Sequence, residues 1–212
     1  MSTVYTRSDY PQAQAFLEHV LSKIALLIQK YTMNIIAISG SLRKASLNTA
    51  LLRALQPLAP SGMQIEIVAV GDLPLYSEDS EVSFPPAVQA LKTKIEAADG
   101  IIIATPEYNR SIPGVLKNVI DWVSRPYGQN SFAGKPVLTA GVTVGKIGTA
   151  VAQSHLRQIM VYLNTDVIGQ PELYLGPAGE IFDGEGNILN GSTKELLTKA
   201  LAVLAGRAKK SN

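Results

Sequence analysis

Residues 34–49, NIIAISGSLRKASLNT, hold the densest set of groups able to grip an anion. Ser41 and Ser46 carry hydroxyls, Asn48 an amide and Arg43 a guanidinium, and all four can donate to the same oxygens. The apolar run 35–38 before them reads as a buried strand. Leu51, Leu52, Leu55 and Leu58 after them follow a helical period. A strand, a tight loop and a helix start place free N–H groups and about half a positive charge at the loop's end. The chemistry such a spacing serves is capture of a phosphate. The same residues would also make an ordinary βα turn with a polar N-cap. The loop is neither GxGxxG nor GxxxxGK[ST], which argues against a dinucleotide site and an NTPase P-loop. A hydroxyl-rich loop for one phosphate monoester suits a mononucleotide such as FMN.

Two further polar loops stand out. Residues 105–113, TPEYNRSIP, follow an apolar run and are bracketed by Pro106 and Pro113, the mark of a rigid loop. Residues 143–148 carry Thr143, Gly145 and Gly148. Other chemistries are closed off by composition. There is no cysteine, so thiolate metal sites, disulfides and cysteine nucleophiles are excluded. Two histidines, His19 and His155, are too few for a multi-histidine metal centre. A net charge of +2 argues against a dedicated nucleic-acid surface while permitting anionic substrates. No apolar run approaches a membrane span, and a cysteine-free chain fits a cytoplasmic setting.

The elements that must position these loops follow from periodicity. Residues 11–31 are expected to be helical, with Leu17, Leu21, Ile24 and Ile28 on one stripe. Met33 sits one residue before the first strand, so residues 1–32 read as an extension and 33–212 as the main domain. Strands are expected at 35–38, 64–70, 101–104, 136–142 and 166–169. Helices are expected from Asn48 onward and at 87–98, 115–124, about 145–163 and 193–209, with 171–191 irregular. Strands alternating with helices imply a flavodoxin-like α/β fold, three layers around a doubly wound five-stranded parallel sheet. In such sheets ligands bind beyond the carboxyl ends of the strands, where all three polar loops fall.

Three stretches resemble the NAD(P)H-dependent FMN reductase family, and within it the quinone and chromate reductases: GSLRKASLN at 40–48, TPEYNRSIPGVLKNVIDW at 105–122, and the GK-I-GTA…HLRQI run at 145–159. The resemblance covers 34 to about 176. It implies that residues 41–48, with Ser41, Arg43, Ser46, Leu47 and Asn48, wrap the phosphate of FMN. It implies that Pro106, Glu107, Tyr108, Asn109 and Arg110 lie beside the isoalloxazine, and that Thr143 lies near the ring's other edge. No catalytic side chain is then required, because the flavin carries the hydride chemistry. Two departures stand out: Arg110 occupies a position commonly aromatic, and Gly148 stands alone where a glycine pair is usual.

The function implied is transfer of electrons from NADH or NADPH through FMN to quinones or similar small acceptors, chromate and azo compounds included, by a ping-pong sequence. Two alternatives remain: a reductase supplying free reduced FMN to a partner monooxygenase, and a non-enzymatic flavodoxin-like electron carrier, which the +2 charge disfavours. The resemblance also implies a homodimer or homotetramer, for which the helix 115–124 would present Val115, Val119 and Trp122; Val119 and Trp122 are expected in a core or at a dimer face rather than on the ligand. Lys117 and Asp121, four apart, are expected to pair on that helix. His155 is expected to be structural or exposed.

Overall fold

A computed structural model describes residues 14–23, 32–183 and 185–208. The chain divides into two units, Met1–Thr32 and Met33–Asn212. In the first, residues 14–23 form a helix, α1, on which Phe16, Leu17 and Leu21 are exposed. The rest of the helix expected over 11–31 lies outside the described residues.

The second unit begins with β1 (Met33–Ser39), followed by α2 (Leu47–Leu55), β2 (Met63–Val68), α3 (Pro86–Ala97), β3 (Gly100–Ala104) and α4 (Gly114–Val123). Then come β4 (Pro136–Val142), α5 (Ala150–Tyr162), β5 (Asp166–Val167), β6 (Leu173–Leu175) and α6 (Gly191–Ala208). The sheet is parallel, in the order β2-β1-β3-β4-β5, which is the flavodoxin-like order. Its strands read as apolar runs because both faces are covered. Alternate residues face opposite layers. Ile35, Ala37, Ile102, Ala104, Leu138 and Ala140 pack with leucines of α2 and α6. Ile36, Ile38, Ile101, Ile103 and Val137 pack under α3, α4 and α5.

Several boundaries differ from those expected. The second strand ends at Val68, which pairs with Ile38, the last residue of β1 to face it, while Ser39 pairs only with Ala104 of β3 on the other side. The fifth sheet position is shared. β5 pairs with Pro136 and Val137, and β6, in a stretch expected to be irregular, pairs with Ala140 to Val142 along the same side of β4. Five residues, 168–172, intervene on this strand where two, Leu138 and Thr139, intervene on β4, so three are in excess and the strand is broken by a bulge. The helix expected from about 145 begins only at Ala150, since Gly148 and Thr149 both take positive φ, 62° and 64°.

One charged side chain is built into the core. Lys92 of α3 is 5% exposed, and its Nζ donates to the Val123 carbonyl at 2.9 Å, the Gln129 carbonyl at 3.0 Å and Ser131 Oγ at 2.8 Å. The ammonium thus ties α3 to the carboxyl end of α4 and to the loop after it. Burial pulls its pKa below the ordinary lysine value, with the Glu96 charge opposing.

Candidate functional site

The sheet's hydrogen bonding runs on past its carboxyl edge and fixes the start of each loop. Gly40 N–H donates to Ala104 O at 2.8 Å, Thr105 N–H to Ala140 O at 2.9 Å, and Thr143 N–H to Leu175 O at 3.1 Å. The loops at 40–46, 105–113 and 143–149 therefore leave the sheet as neighbours.

In the first loop, Ser46 is the N-cap of α2. Its backbone is extended and its Oγ accepts from Thr49 N–H at 3.1 Å. A second tie joins Ser39 Oγ and Thr49 Oγ1 at 2.8 Å. Among the described residues, no protein acceptor takes the N–H of Leu47 or Asn48, and the first turn holds no acidic residue. Arg43 and Lys44 are exposed just upstream, and Ser41 Oγ accepts a long bond of 3.4 Å from Arg43 N–H. Free amides at a helix start, a hydroxyl and two cations form a donor set suited to a phosphomonoester. Asn48 is placed differently from the sequence expectation. It is buried, and its amide grips Val142 on both sides, Nδ2 donating to the carbonyl at 3.2 Å and Oδ1 accepting from the N–H at 3.1 Å. Its side chain fastens the first loop to the third, leaving its backbone N–H as the group facing outward at the helix start.

The second loop makes a two-residue turn. Tyr108 and Ser111 exchange N–H···O bonds of 3.0 and 2.9 Å, and the central residues Asn109 and Arg110 have φ of 52° and 62°. Two successive positive φ values mark a type I′ turn. Tyr108 is 48% exposed and Asn109 and Arg110 are exposed, so the turn projects from the edge. The N–H groups of Glu107, Asn109 and Arg110 have no protein acceptor among the described residues and can serve the polar edge of a flat ring. The Glu107 carboxylate does not join them. It turns to the first turn of α5, where Oε2 accepts from Val151 and Ala152 N–H, each at 3.1 Å.

The third loop is fixed by close backbone packing. A Cβ on Gly148 would sit 2.3 Å from the Tyr174 carbonyl carbon, and one on Gly176 would sit 2.0 Å from Gly145 O, so neither position accepts a side chain. Thr149, a buried β-branched residue in the left-handed region, is strained. It is held there by Gln153, whose Nε2 donates to Thr149 Oγ1 at 3.1 Å and to Leu173 O at 3.0 Å. Thr143 sits between this loop and the chain after β6, its carbonyl accepting from Ala178 N–H at 3.0 Å.

Sequence reasoning missed Thr149 and Gln153. The available signal was a glutamine on the buried stripe of α5, between Ala152 and Leu156. It also missed the strap over α4. Pro74 O accepts from Trp122 Nε1 at 2.7 Å and from Asn118 Nδ2 at 2.9 Å, while Tyr76 and Phe84 meet the Trp122 ring edge-on at 5.2 and 5.5 Å. Tyr76 OH donates to Glu81 Oε1 at 2.6 Å, a bond that pushes its pKa up to about 12, with partial burial adding to the rise. Val119 and Trp122 are fully buried within the chain, so of the two places expected for them they take the core, and they present no surface to a second copy. Lys117 and Asp121 do pair, at 2.7 Å. His155 is exposed, and its Nδ1 lies 3.1 Å from Ser111 Oγ.

A flavodoxin-like sheet with free donors gathered at its switch-point loop is the architecture of a mononucleotide-binding α/β protein. The particular family follows from comparison: the sequence model of the NADPH-dependent FMN reductases matches residues 33–180, and the chain belongs to that family. It is accordingly an oxidoreductase working with FMN and NAD(P)H. The chain is similar to a 2-hydroxy-1,4-benzoquinone reductase of Burkholderia sp., 48% identical over 165 residues, covering 78% of this chain and 90% of that one. It is similar to a quinone reductase of Escherichia coli K12, 42% identical over 173 residues, covering 80% and 92%. Among solved structures it is similar to the flavoenzyme NAD(P)H:(acceptor) oxidoreductase FerB of Paracoccus denitrificans, with TM-score 0.80 and 37% identity, covering 85% and 99%.

Proposed function

We propose that the protein takes hydride from NADH or NADPH onto FMN and passes the electrons to quinones or similar small acceptors. The observation that carries this reading is the cradle at the start of α2: two free amides, a serine cap, Arg43 close by and no acidic residue in the first turn. Bound there, FMN supplies the hydride and electron chemistry, and the chain supplies binding and orientation. Ser41, Arg43 and the amides of Leu47 and Asn48 hold the phosphate. Pro106 and the free amides of Glu107, Asn109 and Arg110 orient the ring, with Thr143 at its other edge. Arg110, whose side chain is 67% exposed, guides anionic acceptors toward the projecting turn.

Nicotinamide and a flat quinone both have to stack on the one open side, beside the turn at 108–111, within contact range. They therefore compete, and initial-rate plots are expected to be parallel lines. Intersecting lines with a ternary complex would overturn the shared pocket. The direct test of the function is the visible spectrum of the purified protein. Flavin absorbance that bleaches on anaerobic addition of NADH or NADPH is expected. A colourless protein that gains no absorbance with FMN would overturn the reading, and a flavin lost on gel filtration would favour supply of free reduced FMN.

The relatives' names support small-molecule acceptors, and among the described residues no helix is long and apolar enough to cross a membrane. We place the enzyme in the cytoplasm, in keeping with a chain without cysteine. We also propose a homodimer or homotetramer. With Val119 and Trp122 buried, the surface for it is the groove of about 740 Å³ between α4 and α5, rimmed by exposed Tyr127 and Tyr162.

A further inference from the structure

Glu107 belongs to the second loop by sequence and is tied by its carboxylate to the start of α5, the helix that follows the third loop. Its Oε2 takes the N–H groups of Val151 and Ala152, the second and third residues of α5. Its Oε1 takes Arg110 Nη1 at 3.0 Å. The side chain is only 12% exposed. Helix α5 has no cap of its own, because Thr149 at its start is in the left-handed region and makes no side-chain capping bond. A carboxylate supplied from 44 residues upstream does that work, favoured by the positive end of the helix.

The turn that Glu107 precedes needs an outside restraint. Asn109 and Arg110 both carry side chains and both sit at positive φ, where glycine is the preferred residue at the second position. The restraint comes at both ends of the turn and from one helix. Glu107 fastens the incoming strand to the first turn of α5, and Ser111 Oγ meets His155 Nδ1 about one turn further along it. The same carboxylate draws the Arg110 guanidinium back onto the loop.

We propose that Glu107 is a positioning residue. Its carboxylate, by capping α5 and holding Arg110, fixes the backbone of 107–111 in the arrangement that offers free amides to the flavin ring. The carboxylate itself, engaged with α5 and Arg110, does not touch the ring. The flavin arm of this proposal rests on the function proposed above, while the capping arm stands on the chain alone.

The test is Glu107→Gln in the full chain, an isosteric change that keeps an acceptor oxygen and removes the charge. Amide hydrogen exchange is followed with and without FMN, alongside FMN titration. Without FMN, exchange at Val151, Ala152 and the 108–111 turn is expected to speed by roughly tenfold or more, with β1 and β3 unchanged, because a charged acceptor holds an N–H about twice as strongly as a neutral one. FMN binding is expected to weaken by about tenfold. Freed from its partner, Arg110 is expected to lower KM for an anionic quinone sulfonate but not for a neutral quinone. Unchanged exchange at 151 and 152 overturns the proposal. So does faster exchange with unaltered FMN affinity and KM, which would leave Glu107 a helix cap and nothing more. If the wild-type protein itself takes up no FMN, the proposed function fails, and the exchange result still decides the capping arm.

Discussion

Arg43 is exposed and makes no side-chain bond among the described residues, and it stands three residues before the cap of α2. A guanidinium free of internal obligations next to two open amides is positioned for a ligand. Replacing it by alanine is expected to cost about 1.5–3 kcal/mol of FMN binding, or roughly tenfold to a hundredfold in affinity, with the loss shrinking as salt rises. Titration of FMN into Arg43→Ala checks this, and unchanged affinity would remove Arg43 from the phosphate site. Ser46 was read from the sequence as a donor to the phosphate, and its capping of α2 stayed unassigned although the N–H it satisfies, that of Thr49, lies only three residues on. Asn48 was half legible. Its type announced a hydrogen-bonding amide, but its partner Val142 lies 94 residues away, a pairing that no local pattern carries. The partners of the Glu107 carboxylate, the N–H groups of Val151 and Ala152, were hidden for the same reason.

Elements were legible where packing repeats along the chain. β1, β3 and β4 appear as continuous apolar runs because helices cover both their faces. β6 was lost because three residues are too few to show a period, and the start of α5 was lost because a threonine in the left-handed region has no sequence signature. Lys92 was equally hidden, being one of two lysines on α3, two residues from the exposed Lys94. Its role makes a prediction at this scale. Lys92→Met would remove three hydrogen bonds to a buried ammonium and leave the Gln129 carbonyl without its donor, while Val123 O keeps Ser131 N–H and Ser131 Oγ keeps Glu96, and it is expected to destabilise the fold by about 1–3 kcal/mol. Burial holds the folded-state pKa below 10.5, so between that lowered value and 10.5 the unfolded chain binds more protons and stability rises with pH. Urea melts at a series of pH values should therefore show the wild type gaining on Lys92→Met as pH climbs toward 10.5. A flat difference would mean that the buried amine titrates like an exposed one.

The whole molecule is organised around the unit Met33–Asn212, which holds the three loops, both cores and the full span matched by the family. A chain beginning at Met33 is accordingly expected to bind FMN with unchanged affinity and to retain its spectrum. Light scattering on both lengths is expected to give a mass above that of one chain. Loss of FMN on truncation would show that residues 1–32 help to build the site. The division into strands and helices, which the sequence displays plainly, bears on a hazard of another kind. A parallel sheet of this order has two lateral edges, and the one formed by β4's outer neighbours is interrupted by three surplus residues between β5 and β6. An incoming strand from a damaged or newly made chain needs an unbroken row of N–H and C=O groups to dock. On this side it meets rows of two and three residues, out of step with each other. The bulge that delivers Leu175 to the third loop thus also blunts one edge against fibril-like stacking, and leaves β2 as the flank where such growth would have to begin.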